Sequence, residues 1–144
     1  MGKTRDKKIF RVIDANANRA REGLRVCEDV CRFVIESKTF TKRFKELRHS
    51  LTESLKRISR FDLLDARNIE EDIGRKSIAA ELKRQHVADI FVANAQRVKE
   101  SIRVLEEFAK LINPDLSGEF KTLRYQIYAI EKKVLKKCKV VSHS

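Results

Sequence analysis

NANRAREGLRVCED, residues 16–29, is repeated 78 positions later as NAQRVKESIRVLEE, residues 94–107. A shorter match follows each copy, FKELR at residues 44–48 and FKTLR at residues 120–124, and its offset is 76 positions. The two-residue change in offset falls where a loop would join two consecutive helices. The repeat therefore predicts that one helical hairpin is used twice in this chain.

The matched positions include polar residues as well as apolar ones. Packing explains why apolar positions stay apolar in both copies, but it gives no reason to keep asparagine, arginine and glutamate. We therefore expect a role beyond the core for these polar residues. The alternative is that they form ordinary ion pairs on helix surfaces, each worth only a few tenths of a kcal/mol. The pairs are Asn16/Asn94, Arg19/Arg97, Glu22/Glu100, Arg25/Arg103 and Glu28/Glu106.

Apolar residues spaced three and four apart predict four long helices. Pro114 should end the third helix, because the residue before a proline is pushed out of helical geometry. Asp115 or Ser117 should then cap the fourth helix, and Ser37 or Thr39 the second. The predicted fold is all-α, a pseudo-two-fold antiparallel four-helix bundle built from two helical hairpins with a central crossover loop.

The 144 residues are predicted to form a single helical domain, 1–144. The repeat halves should span about 9–60 and 86–138, and a connector of about 61–85 should join them. Loops on a rigid scaffold often carry function, so functional side chains are expected in the connector. A plain crossover without function is the alternative.

The bulk composition limits the class of partner. Lys and Arg outnumber Asp and Glu by 33 to 21, giving a formal charge of +12, which favours anionic partners. Basic and acidic residues alternate along the chain, which argues against nucleic acid. No apolar run is long enough for a membrane span or a signal peptide, so a cytoplasmic protein is predicted. Cys27 and Cys31 lie on an apolar helical stripe and are expected in the core.

The repeated asparagines and arginines border small residues, where two helices can approach closely. They are expected to line a polar cleft between the halves. An arginine fork matches phosphate oxygens, and carboxylates such as Glu22, Glu100 and Asp72 could hold Mg²⁺ or a substrate hydroxyl. The chain has no glycine-rich loop followed by Lys-Ser or Lys-Thr. From chemistry alone, the sequence favours a phosphate-binding helical site.

At DANANRAREGLRVCEDVCRF, ANAQRVKESIRVLEEFAKL and FKTLRYQIYAIE the chain resembles a known family. This family is the helical domain at the N-terminus of some bacterial thiamine-phosphate synthases, which also occurs as a stand-alone protein. It is assigned as an alternative kinase for hydroxymethylpyrimidine phosphate. The resemblance, which covers roughly residues 10–134, implies ATP-dependent phosphorylation of that pyrimidine phosphate to the pyrophosphate in thiamine biosynthesis. Mg²⁺ and ATP, the latter as co-substrate, are implied with it.

The assignment of site residues is our own inference from the residue chemistry. Arg67 and Asp72 are predicted to be catalytic, with Asp72 also the ligand of Mg²⁺. The family often has Arg-Asp in the central loop, whereas Arg67 is followed by Asn68, and this difference favours Asp72 as the acid. The predicted substrate- and phosphate-binding residues are Asn16, Arg19, Gly74, Asn94 and Arg97. The predicted supporting residues are Glu22, Arg25, Glu100 and Arg103.

Two functions from other classes remain as alternatives. One is a non-catalytic module that binds a phosphorylated thiamine precursor, and the other is a basic helical protein that binds nucleic acid. The apolar stripes are wide enough for two bundles to pack together, so a homodimer is also left open.

Overall fold

The computed structural model describes residues 3–74, 84 and 86–142, and these residues contain helices and turns only. The predicted all-α class is therefore confirmed. The rest of the predicted connector, residues 75–83 and 85, lies outside the described part of the chain. The helices are α1 Lys3–Asp29, α2 Lys38–Leu55, α3 Arg60–Ala66, α4 Val87–Ala109 and α5 Pro114–Ser142.

Two helix starts follow from side-chain caps. The Ser37 hydroxyl accepts a hydrogen bond from the backbone N–H three residues later, at 3.2 Å, as predicted for α2. At α5 the cap is Asn113, whose side-chain oxygen accepts from the Asp115 N–H at 3.1 Å. The predicted caps Asp115 and Ser117 are wrong, because Pro114 fits the first helical position, where no backbone N–H is needed.

The end of α1 was not predicted. The helix continues as a π-helical turn over Val30–Val34 and is closed by a hydrogen bond of 3.0 Å from the Ser37 N–H to the Cys31 carbonyl. Between them Glu36 has a φ of 57°, the left-handed conformation that commonly ends helices. This turn reverses the chain into α2.

The four long helices make a closed ring of contacts. α1 packs against α2 and α4, and α5 packs against the same two helices from the other side, while α3 packs on α1. The Cys27 thiol, near the end of α1, lies 3.8 Å from the carbonyl oxygen of Phe91, near the start of α4. Arg57, just after α2, pairs with Glu119 in the first turns of α5. Neighbouring helices therefore run in opposite directions in both pairs.

The core lies inside this ring. Three phenylalanines from three helices, Phe44, Phe91 and Phe120, are almost fully buried. The rings of Phe44 and Phe91 meet edge to face, with centroids 5.8 Å apart. No helix in the described ranges is both long and apolar enough to cross a membrane.

Cys27 and Cys31 are core residues, as predicted. Both are completely buried among apolar side chains. Burial raises the pKa of both thiols, that of Cys31 to about 12, so both stay protonated at neutral pH. Neutral buried thiols act here as small apolar side chains.

Gly23 allows α1 and α4 to approach closely. A Cβ atom at Gly23 would lie 2.6 Å from a methyl carbon of Val98 and 3.1 Å from the carbonyl oxygen of Asn94. Gly118, inside α5, has nothing within 4 Å of the same position. The two glycines therefore form a matched pair for testing this helix contact.

We expect Gly23→Ala to lower the free energy of unfolding by about 1–3 kcal/mol, because the methyl group forces α1 away from Val98. Gly118→Ala should raise it by up to about 1 kcal/mol, because alanine favours the helix and meets no neighbour. Urea denaturation followed by circular dichroism measures both. A neutral or stabilising Gly23→Ala would contradict the close contact between α1 and α4.

Candidate functional site

The repeated glutamates link the two helices of each hairpin. The buried carboxylate of Glu28 accepts a hydrogen bond from Arg48 at 3.1 Å, which joins α1 to α2. The equivalent Glu106 accepts from Arg124 at 2.9 Å, which joins α4 to α5. The repeat thus preserves these polar residues for a structural reason.

The predicted supporting residues Arg25 and Arg103 belong to the same two clusters. Arg103 lies 3.1 Å from the carboxylate of Glu106, and Arg25 lies 3.8 Å from that of Glu28. Each arginine also reaches an acidic side chain one residue further along its own helix. These contacts hold the buried glutamates from the solvent side.

The repeated asparagines bond to their own helices. The side-chain amide of Asn16 donates to the Val12 carbonyl at 2.9 Å, and that of Asn94 donates to the Ile90 carbonyl at 2.8 Å. Both bonds connect residues four apart on one helix. Neither asparagine lines the cavities described below.

Arg67 holds the connector on α1. Its Nε and Nη2 atoms each donate to one carboxylate oxygen of Asp14, both at 2.8 Å. These hydrogen bonds raise the pKa of Arg67. One residue further, the Asn68 carbonyl accepts from Arg11 at 3.0 Å. The side chain of Asp14 is 8% exposed and that of Arg67 is 38% exposed, so the pair is partly accessible to solvent.

Asp14 was not among the predicted site residues. It follows the buried Ile13 on α1, and its counterpart 78 positions later is Val92. A carboxylate beside the core stripe in one copy only was the signal that could have identified it. The site prediction used residues that are alike in the two copies of the repeat. Asp14, which holds the connector, has no acidic counterpart in the second copy.

The Arg67–Asp14 pair lines a cavity of about 400 Å³ between α1 and the connector, here called the first cavity. Of the predicted site residues, four line it. Among the described residues, its charged lining consists of three arginines and three carboxylates. These are Arg11, Arg19 and Arg67, and Asp14, Glu22 and Asp72.

The remaining predicted residues lie elsewhere. Arg97 and Glu100 are exposed on α4 and line neither cavity, and Glu100 accepts a hydrogen bond of 2.9 Å from Gln96. The reason is that α3 packs on α1, so the connector covers only the first copy of the repeat. Gly74 also lies outside the lining, and its N–H donates to a carboxylate oxygen of Asp72 at 2.9 Å.

The same Arg67–Asp14 pair also borders a second cavity, of about 610 Å³, between α1, the end of α2 and α3. Its lining includes Arg21, Lys56 and Arg60, none of which was predicted as a site residue. The pair therefore stands between two cavities of different composition.

No part of the described chain brings three or more His, Cys, Asp or Glu side chains together in a group that could hold a metal ion. Of the carboxylates named as possible Mg²⁺ ligands, Glu22 and Asp72 line the first cavity and Glu100 does not. Mg²⁺ at Asp72 and ATP stay predictions.

Asp14→Asn should lower the free energy of unfolding by about 1–2 kcal/mol, because Arg67 loses its charged partner while keeping some contact with water. Amide hydrogens of residues 68–72 should then exchange faster, which mass spectrometry can measure. The matched control is Asp65→Asn, which breaks an exposed pair with Lys7 and should change stability by less than about 0.5 kcal/mol. Equal exchange rates in Asp14→Asn and the unmodified chain would show that the pair does not anchor the connector.

Comparison with known proteins identifies relatives along most of the chain. Residues 11–133 match the ThiD2 family. The thiamine-phosphate synthase of Synechocystis sp. is 41% identical over 128 residues, which are 88% of this chain and 36% of that protein. Those of Rhodopirellula baltica and Thermosynechococcus vestitus are 34% and 39% identical, over 90% and 87% of this chain and 35% of each relative. No solved structure matches the chain.

These relatives correct the predicted function. They are named for thiamine-phosphate synthesis, which is a different reaction from phosphorylation of hydroxymethylpyrimidine phosphate, so the kinase prediction is contradicted. Neither predicted alternative gains support from them. The predicted family resemblance is confirmed. The chain spans about a third of the length of these curated relatives. With 123 of its residues matched in one continuous stretch, 11–133, the chain belongs to the ThiD2 family.

Proposed function

We propose that the chain acts in thiamine-phosphate synthesis and that its first cavity binds thiamine phosphate. The names of the relatives support the pathway and the ligand. The relatives are nearly three times as long as the matched region, so the activity of the whole proteins reaches this chain only as part of the proposal. The observation that carries it is the charge pattern of the first cavity.

Thiamine phosphate carries charges of both signs. Its phosphate monoester is anionic and its thiazolium ring is cationic, so a matching site needs cations and carboxylates together. The described residues of the first cavity include three arginines and three carboxylates. Its volume of about 400 Å³ is within the usual range for small-molecule pockets, roughly 300–1,000 Å³.

Arg19 is the residue that we assign to the phosphate. Its side chain is exposed, and its only hydrogen bond is a long one of 3.5 Å to Asn16, with no ion pair among the described residues. Its guanidinium is therefore free to meet phosphate oxygens through two parallel N–H groups. Arg67 is fixed in position by Asp14 and adds a second cationic wall.

Glu22 is the carboxylate that we assign to the cationic ring. Its side chain is exposed to the cavity, and within the described ranges it forms no ion pair. Asp72, on the connector side, has one carboxylate oxygen bonded to the Gly74 N–H. Glu22 can therefore turn toward a bound cation more freely than Asp72.

Isothermal titration calorimetry should detect binding of thiamine phosphate and much weaker binding of thiamine, which lacks the phosphate. Arg19→Ala should raise the Kd for thiamine phosphate about 10- to 100-fold, as expected for losing a charged hydrogen bond. Arg97→Ala is the matched control. It removes the arginine at the equivalent repeat position, which lines neither cavity, and should leave the Kd unchanged.

Equal losses in Arg19→Ala and Arg97→Ala would mean that the ligand responds only to the overall positive charge. Equal affinity for thiamine and thiamine phosphate would remove the phosphate from the recognition. Either result contradicts the assignment of the first cavity. Circular dichroism of each variant separates these outcomes from loss of folding.

The finer fold prediction belongs to the same proposal. We propose that the two hairpins form a four-helix bundle and are related by a pseudo-two-fold axis. Its support is the repetition of individual bonds, in particular Glu28 with Arg48 and Glu106 with Arg124. A cytoplasmic location and a homodimer stay predictions.

A further inference from the structure

The second cavity has a strong excess of positive charge. Of the described residues that line it, four are cationic, Arg21, Lys56, Arg60 and Arg67, and one, Asp14, is a carboxylate. Asp14 is already bonded through both oxygens to Arg67. Little of its charge is therefore left to neutralise the other cations.

Two of these cations have no partner of opposite charge within bonding distance in the part of the chain that the structure describes. Lys56 pairs with Glu53 at 2.8 Å, but the side chains of Arg21 and Arg60 form no hydrogen bond or ion pair with any described residue. Arg21 is also partly buried. Burial lowers the pKa of Arg21, and the nearby charges of Arg60 and Arg67 lower it further, against the opposing effect of Asp14.

Grouping unpaired arginines around one cavity costs free energy in the empty protein. An anion placed between them would relieve the repulsion and complete their hydrogen bonds. Guanidinium groups suit phosphate oxygens in particular, because the planar fork donates two N–H groups to two oxygens. The cavity, at about 610 Å³, has room for a group larger than a single phosphate.

We infer that the second cavity is a separate binding site for a phosphate-bearing polyanion, held by Arg21 and Arg60 beside the Arg67–Asp14 pair. This second site goes beyond the proposed function. Its ligand needs only negative charge, and binding there leaves the first cavity free. The two cavities differ in this respect, since the described lining of the first has as many carboxylates as arginines. Inorganic pyrophosphate is the simplest probe of the second site.

The test is a calorimetric titration of the full chain with pyrophosphate, at low salt and at physiological salt. We expect saturable binding with one site per chain. Arg60→Ala should raise the Kd about tenfold or more, the usual effect of losing one charged hydrogen bond. Arg60→Lys should recover part of the affinity, because it keeps the charge and loses the two-pronged geometry. Arg60 is exposed, so its replacement should not disturb folding.

Two variants serve as controls. Arg97→Ala removes one exposed arginine from α4, outside both cavities, and should leave the Kd for pyrophosphate unchanged. Arg19→Ala removes a cation from the first cavity only, so its effect on the Kd reports whether pyrophosphate also binds there. Because the probe is pyrophosphate and not thiamine phosphate, this titration tests the second cavity independently of the proposed function.

Three outcomes would overturn the inference. No saturable binding at low salt would mean that the arginine cluster holds no polyanion. Equal weakening by Arg60→Ala and Arg97→Ala would assign the binding to the overall charge of +12. Weakening by Arg19→Ala but not by Arg60→Ala would move the pyrophosphate to the first cavity.

Discussion

The candidate site depends on one ion pair, Arg67 with Asp14. Two hydrogen bonds of 2.8 Å hold the start of the connector on α1, and the pair forms part of the wall of both cavities. Asp14 is the carboxylate that lines both cavities. Its removal would leave the surrounding arginines without this counter-charge. The pair is thus both the anchor of the connector and the partial counter-charge of the site.

The repeated polar residues serve the fold more than the site. Glu28 and Glu106 cross-link the helices of their hairpins, and Asn16 and Asn94 bond to carbonyls one turn earlier. A buried carboxylate must keep its arginine partner, since an unpaired buried charge costs several kcal/mol. That constraint acts equally on both copies, which explains why polar identity is preserved without a shared ligand. The candidate site forms where the symmetry is broken, at Asp14.

Local pattern in the sequence was enough to predict the four long helices, their apolar faces and the Ser37 cap, because these depend on residues a few positions apart. Helix α3, which lies almost wholly in the predicted crossover loop, was not predicted. The contacts of the connector could not be predicted in this way. Arg67 meets Asp14 across 53 positions, and nothing in either local sequence encodes that pairing. Arg19 lines the first cavity with Arg67 and Asp72, whereas its repeat counterpart Arg97 does not, because repeat symmetry says nothing about which copy the connector covers. Arg60 was missed since its neighbours in the cluster come from other elements.

The net charge of the chain does not by itself indicate a ligand, whereas the distribution of charged residues between the two cavities does. A total of +12 by itself favours any anion, from nucleic acid to phosphate. In the first cavity carboxylates match the arginines, so the field is mixed and suits a ligand with charges of both signs. In the second cavity the arginines are largely uncompensated, so the field is of one sign. All lining residues lie between positions 11 and 72, within the part of the chain that its relatives share. Under both proposals, ligand selectivity in this domain depends on where the few carboxylates of α1 and the connector lie, more than on the number of basic residues.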